Sequence, residues 1–257
     1  LIILFTRNNP ASANIAKMLI LHHGFEPISE NEWRKGKLRL IDTNAPSVLE
    51  VPSEFGDELA VVLSTHKSRI REKVMTAHFP GNWSGAELGG APRTLVKADA
   101  SALKKLIWEI KKQADMIGWN TMLEADHHGP TGNSPMIFVE IGSGEEEWAD
   151  EKAAKGMADA LITASEKEES YEAFLGFGGG HYPKAFTKMI IEGPMAVAHI
   201  CPKYAIDSLD EALFGQAVSK TIGKISKVVV LKDETNREQK AKVKNLAEKF
   251  GLVYEEI

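Results

Sequence analysis

Short apolar runs alternate with longer amphipathic ones along most of this 257-residue chain, and that alternation constrains its fold more than any other feature. Strand-like runs lie at residues 2–5, 38–42, 59–64, 121–126, 137–141, 172–175, 196–200, 228–231 and 252–254. Between several of them the spacing predicts helices over 11–22, 100–116, 145–165, 183–191, 209–218 and 235–250. Strands alternating with helices of this length build an α/β domain, a mostly parallel mixed sheet flanked by helices. Hydrophobic residues make up 43% of the chain, enough for a sizeable core. With no internal repeat or linker, we expect one domain over residues 1–257. Residues 65–92, rich in Gly, Pro, His and Trp, interrupt the pattern and read as a long loop, a kind of segment that is usually functional or disordered.

Composition narrows the setting. No apolar run approaches the roughly 20 residues that span a bilayer, and the opening run is too short for a signal peptide. The single cysteine, Cys201, excludes an internal disulfide framework. We therefore expect a cytoplasmic protein without a membrane partner, a monomer with no obligate protein partner. The net charge of −5 argues at first against nucleic acid. Its distribution weakens that objection: residues 140–172 hold eleven acids and three bases, a local −8, so the rest of the chain sums to +3. Lys35, Lys37 and Arg39, or Lys67, Arg69, Arg71 and Lys73, can form a basic face beside the acidic one.

The stretch 176–184, GFGGGHYPK, reads as the end of a strand, a glycine loop and a helix start with Pro at its first position. Glycines let a backbone approach a ligand closely, and the free N–H groups of a first helical turn attract anions. Lys184 and Lys188 add positive charge there. The stretch matches neither GxxxxGK[ST] nor GxGxxG, so no nucleotide fingerprint applies, and a plain tight turn is the simpler reading. Most of the eight histidines fall at or beyond strand ends, where α/β sheets gather their ligands: His66, His78, His127, His128, His181 and His199. His22 and His23 end the first helix, where a cation complements the dipole. If residues 124–128 are extended, Glu124, Asp126 and His128 project to one face and His127 to the other. A carboxylate beside an imidazole binds a divalent metal or forms an acid–base pair, although neither HExxH nor a CxxC pair is present. Glu140 lies in the apolar run 137–141 and needs a partner if buried.

Taken together these loops resemble the archaeal and plant type of D-aminoacyl-tRNA deacylase. The likeness is carried by STHKSR at 64–69, TAHFPGNW at 76–83, EADHHGPTGNSP at 124–135, VEIGSGEEEW at 139–148, GFGGGHYPKAFTKM at 176–189 and AHICPKYA at 198–205, and it runs over essentially the whole chain. The resemblance implies a phosphorylase/hydrolase-like α/β fold related to peptidyl-tRNA hydrolases. It also implies hydrolysis of the ester between a D-amino acid and tRNA, a chiral proofreading step, and zinc as cofactor. It does not assign the ligands.

From side-chain chemistry we expect His128, His181 and Glu140 to activate water, and Asp126, His128, His181 and His78 to hold a metal. Gly178, Gly179 and Gly180 would offer N–H groups to an oxyanion or a phosphate. Lys67, Arg69, Lys184 and Lys188 would meet the tRNA backbone, with Phe79, Trp83 or Tyr182 stacking on the terminal adenine. Two other classes fit less of the sequence. One is an α/β hydrolase or phosphorylase for a small phosphorylated or nucleoside substrate; the other is a non-catalytic tRNA-binding module, which has little need of so many histidines.

Overall fold

A computed structural model describes every residue from Leu1 to Ile257. In chain order the elements begin with β1 (Ile2–Phe5), α1 (Pro10–His22), β2 (Glu26–Ser29), β3 (Glu32–Lys35), β4 (Leu38–Asp42) and β5 (Ala60–Lys67). They continue through β6 (Val74–His78), β7 (Gly81–Asn82), β8 (Thr94–Leu95), β9 (Ala98–Asp99), α2 (Ala100–Met116), β10 (Asn120–Leu123) and β11 (Met136–Ser143). Next come α3 (Glu145–Trp148), α4 (Glu151–Ser165), β12 (Ala173–Phe177), α5 (Lys184–Glu192) and β13 (Ala196–Cys201). The chain closes with α6 (Glu211–Ser219), β14 (Thr221–Ile222), β15 (Ile225–Val230), α7 (Arg237–Lys249) and β16 (Val253–Glu256). The α/β expectation holds, and the chain divides into two compact units, each made of three separated pieces.

The first unit comprises Leu1–Ala77, Lys105–Met122 and Gly132–Glu168. Its eight-stranded sheet runs β10-β6-β11-β5-β1-β4-β3-β2. Strands β11, β5, β1 and β4 are parallel, while β3 and β2 add an antiparallel edge. The parallel core is apolar on both faces: Ile2, Ile3, Leu4, Val62, Leu63, Ile137 and Phe138 are all buried. Helix α1 starts where the Asn9 side chain accepts the Ser12 N–H, with Pro10 at its first position, and α4 starts where Asp150 accepts the N–H groups of Lys152 and Ala153. That second cap splits the single helix expected over 145–165 into α3 and α4.

The expected long loop over 65–92 contains β6, buried along its whole length. Thr76 and His78 hide it in the sequence, since two polar residues among five break an apolar run. The hairpin of β2 and β3 was also absent from the sequence reading, because β2 is exposed throughout and carries no apolar signature. The strand expected over 121–126 stops at Leu123.

The second unit comprises His78–Lys104, Leu123–Thr131 and Glu169–Ile257. Its main sheet is fully parallel, in the order β13-β12-β15-β16. Phe177 at the end of β12 stacks on Phe214 of α6, which in turn packs against Phe250. Helix α7 begins with a reciprocal capping box between Asn236 and Gln239. Lys104 is fully buried and donates to three backbone carbonyls, those of Ile190 at 2.8 Å, Gly193 at 2.6 Å and Met195 at 2.7 Å. The last carbonyls of a helix lack intrahelical donors, so this ammonium closes the end of α5 and complements its dipole. Burial lowers the Lys104 pKa to about 8, which still leaves it charged at neutral pH. Replacing Lys104 with Met should leave those carbonyls without a donor and cost about 3 kcal/mol. Urea unfolding at pH 7 measures this, and a loss well under 1 kcal/mol would contradict it.

Candidate active site

In the second unit the carboxyl ends of β12 and β13, together with the loop after β10, bring the histidines and carboxylates together. The arrangement starts from Asp126. One of its carboxylate oxygens accepts the His199 Nδ1–H at 2.6 Å, and the other accepts the Ile200 N–H at 3.1 Å. Its own N–H donates back to the Ile200 carbonyl at 3.2 Å. Residues 124–128 are therefore held against β13 by side chain and backbone at once. Burial pushes the Asp126 carboxyl up, and the His199 imidazole and Ile200 N–H oppose that shift. Asp126 thus serves His199, and it does not join the imidazoles it was expected to accompany at a metal.

Because the chain past Leu123 is no longer a strand, the alternation of faces assumed for 124–128 does not apply. His127, expected to face away from its neighbours, lies beside His78 and His128, with ring centroids 4.7 and 4.5 Å away. The three rings share a further pattern. His78 Nδ1 meets the Phe79 carbonyl at 3.0 Å, His127 Nδ1 meets the Ala125 carbonyl at 2.8 Å, and His128 Nδ1 meets the Gly129 carbonyl. A carbonyl can only accept, so each Nδ1 carries the proton and each Nε2 is the lone-pair donor. One ligand atom from each of the three rings lies within 4.8 Å of the others. Burial, followed by the nearby His78 and His128, lowers the His127 pKa to about 2, so this ring is neutral.

A second grouping overlaps the first. Glu124 is buried, and its Oε2 lies 2.7 Å from His181 Nε2 and 3.8 Å from His127 Nε2. His181 is only partly buried, with a third of its side chain exposed, and its ring packs edge-on to His127 at 4.2 Å. The Ala125 N–H donates to the His181 carbonyl at 3.0 Å, which ties the glycine loop to the same segment. Glu124, His127 and His181 also present one ligand atom each within 4.8 Å. Glu124, His127 and His199, singled out in the sequence only as candidates by position, are not among the residues assigned a catalytic or metal-binding role there; the run of carboxylates and histidines at 124–128 is the signal that points to the first two.

The glycine loop is real and differs from the expected cradle. Gly178 and Gly179 adopt φ values of 109° and 79°, conformations that favour glycine. The Gly178 N–H donates to the Cys201 carbonyl at 3.0 Å and so is not available to an anion, whereas no protein acceptor faces the N–H groups of Gly179 and Gly180. A cavity of about 500 Å³ adjoins the loop, lined by Asp207, Asp233, Glu234 and Lys203. Three carboxylates against one ammonium suit a phosphate poorly, which disfavours a phosphorylated metabolite as substrate. Lys184 and Lys188 are exposed on α5. Phe79 and Trp83 are buried and do not offer the stacking surface expected of them; the Trp83 indole N–H donates to the Ile200 carbonyl at 3.0 Å, and both rings flank His199. Tyr182 is partly exposed beside His181, at 4.6 Å between rings.

The remaining expected residues lie in the first unit. Glu140 on β11 is buried with its Oε2 3.5 Å from His66 Nδ1, so the carboxylate in the apolar run does have a histidine partner. Gly142 stands opposite His66 in the β11–β5 register, and a Cβ there would lie 2.5 Å from the imidazole, so glycine makes the room for this ring. Lys67 and Arg69 are exposed at and beyond the end of β5.

With this geometry in view, comparison with known proteins is specific. The D-aminoacyl-tRNA deacylase family profile matches residues 54–255. The D-aminoacyl-tRNA deacylase of Pyrococcus furiosus is 30% identical over 267 residues, covering 98% of each chain. That of Methanosarcina acetivorans is 35% identical over 82% of this chain and 77% of its own length. A crystal structure described as that of a conserved protein of unknown function superposes with a TM-score of 0.90 at 25% identity, covering 99% of this chain and 94% of that one. Profile, relatives and fold agree, and the chain belongs to the D-aminoacyl-tRNA deacylase family.

Proposed function

We propose that this chain hydrolyses the ester joining a D-amino acid to tRNA, with residues 1–257 working as a single deacylase. Family membership supports the reaction class, and the single observation that carries the chemistry is the Glu124–His181 pair: a buried carboxylate at 2.7 Å from a partly exposed imidazole. With Nε2 donating to Glu124, His181 Nδ1 is the basic nitrogen, and no protein group occupies it. It takes a proton from water as the water oxygen attacks the acyl carbon. Glu124 stabilises the imidazolium that results, as the carboxylate of a triad does. Collapse breaks the bond to the ribose oxygen, which recovers the proton from His181.

The donor set of His78, His127 and His128 fits zinc: three imidazoles, each with Nδ1 tied to a carbonyl and Nε2 left to ligate, are a common catalytic zinc set. Of the ligands expected from sequence, His78 and His128 stay in this set, His127 joins it, and His181 falls with Glu124 in the overlapping group. A zinc ion held by these three residues would supply Lewis acidity that makes water a stronger acid near neutral pH. Lys184 and Lys188, with Lys67 and Arg69, would contact phosphates of the tRNA, and of Phe79, Trp83 and Tyr182 only Tyr182 is exposed enough to stack on a base. No helix is long and apolar enough to cross a membrane, in keeping with a reaction on tRNA in the cytoplasm.

His181→Ala should lower kcat on D-aminoacyl-tRNA by about 100-fold or more while KM changes little, and Glu124→Gln should follow in the same direction. Single-turnover deacylation of paired D- and L-aminoacyl-tRNAs reads this, and wild-type turnover in His181→Ala would remove the imidazole from the mechanism. Dialysis against a chelator should abolish activity and zinc should restore it, with His127→Ala losing bound zinc by atomic absorption. Full activity in metal-free protein would reject the zinc assignment and leave the Glu124–His181 pair to act on water unaided.

A further inference from the structure

A second, smaller cavity of about 150 Å³ opens in the same unit, beside His127. We propose that it is the subsite for the side chain of the amino acid being released, and that its size admits a single aromatic ring. The inference rests on the deacylase reading above and extends it to substrate selection.

Three observations carry it. First, Trp83, Leu88, Pro202 and Ala205 give one part of the cavity wall an apolar surface, while the exposed Ser84 and Glu87 stand with Leu88 at its rim. Second, its buried polar groups are already satisfied by the protein. Asp126 is held by His199 and Ile200, the Asn82 amide donates to the Gly89 and Ala91 carbonyls at 2.9 and 3.2 Å, and the Trp83 N–H is given to Ile200. An apolar guest therefore leaves none of these hydrogen bonds unmade. Third, a cavity of roughly this volume accommodates a benzene-sized guest. The neighbouring cavity at Gly179 and Gly180 is larger, about 500 Å³, too roomy for a single ring to fill, and it carries three carboxylates, those of Asp207, Asp233 and Glu234.

Position completes the case. His127 lines the small cavity and belongs to both groupings of imidazoles and carboxylate, so an amino acid whose side chain fills the cavity brings its ester to those groups. Tyr204, largely exposed, stands at the wall shared by the two cavities and marks the way in. Ala205, its buried neighbour, sets the depth.

The test uses the full chain and two substrates, D-phenylalanyl-tRNA and D-alanyl-tRNA. Filling the cavity with Ala205→Leu should lower the phenylalanyl-to-alanyl ratio of kcat/KM by roughly tenfold or more, the scale on which single methylenes are discriminated in apolar pockets. An unchanged ratio in a folded Ala205→Leu protein would overturn the subsite. If circular dichroism shows that Ala205→Leu does not fold, Leu88→Trp at the exposed rim is read by the same ratio, with the same two outcomes. A wild-type protein that cleaves neither substrate overturns the deacylase reading and the subsite with it, whereas an active wild type with an unmoved ratio overturns the subsite alone.

Discussion

The second unit depends on one carboxylate. Asp126 accepts from a side chain and a backbone N–H of β13 while returning a backbone bond to the same strand. Glu124, His127 and His128 all lie within two residues of it, so their positions follow from that anchorage. The pair with His199 is fully desolvated, and such pairs are held by geometry and additional hydrogen bonds more than by charge alone. Here the Ile200 N–H supplies the extra bond. A segment with no regular secondary structure can thus present several functional side chains without depending on its own stiffness.

Around that anchor the electrostatics favour a neutral ring at His127. Four imidazoles crowd within ring-centroid distances of 4.2 to 4.7 Å along the series His78, His128, His127 and His181. Burial is the main cause of the strong depression at His127, and the neighbouring His78 and His128 add to it. Backbone carbonyls settle the tautomer of three of the rings, and Glu124 settles that of the fourth. The consequence is a set of rings whose N–H orientations are fixed by the backbone and by Glu124.

Much of the fold was legible because periodicity is local. Helix α2 matches its predicted bounds since apolar residues recur along it at helical spacing, and β1 and β4 match because short apolar runs bounded by polar turns have few other uses. Strand β6 escaped because burial on both faces tolerated Thr76 and His78 once the sheet enclosed them. The site was legible in its parts list and not in its pairings. Asp126 and His199 are 73 residues apart, and Glu124 and His181 are 57 apart. Nothing in local spacing connects them. The rule of alternating faces misplaced His127 because it presumes a strand, and the strand ends at Leu123.

The piecewise construction of the second unit also sets a schedule for synthesis. His78 and the segment Leu123–Thr131 leave the ribosome well before β13, which carries His199 and Ile200, and β15 and β16 come later still. The sheet that positions the anchor is therefore completed only after Glu256 has been added, more than 120 residues beyond Thr131. Such long-range closure is slow and leaves apolar segments uncovered in the meantime. During translation the imidazoles exist before anything holds them, and a shortened product lacking the last strands would carry every group named in the mechanism in a chain whose second sheet is unfinished.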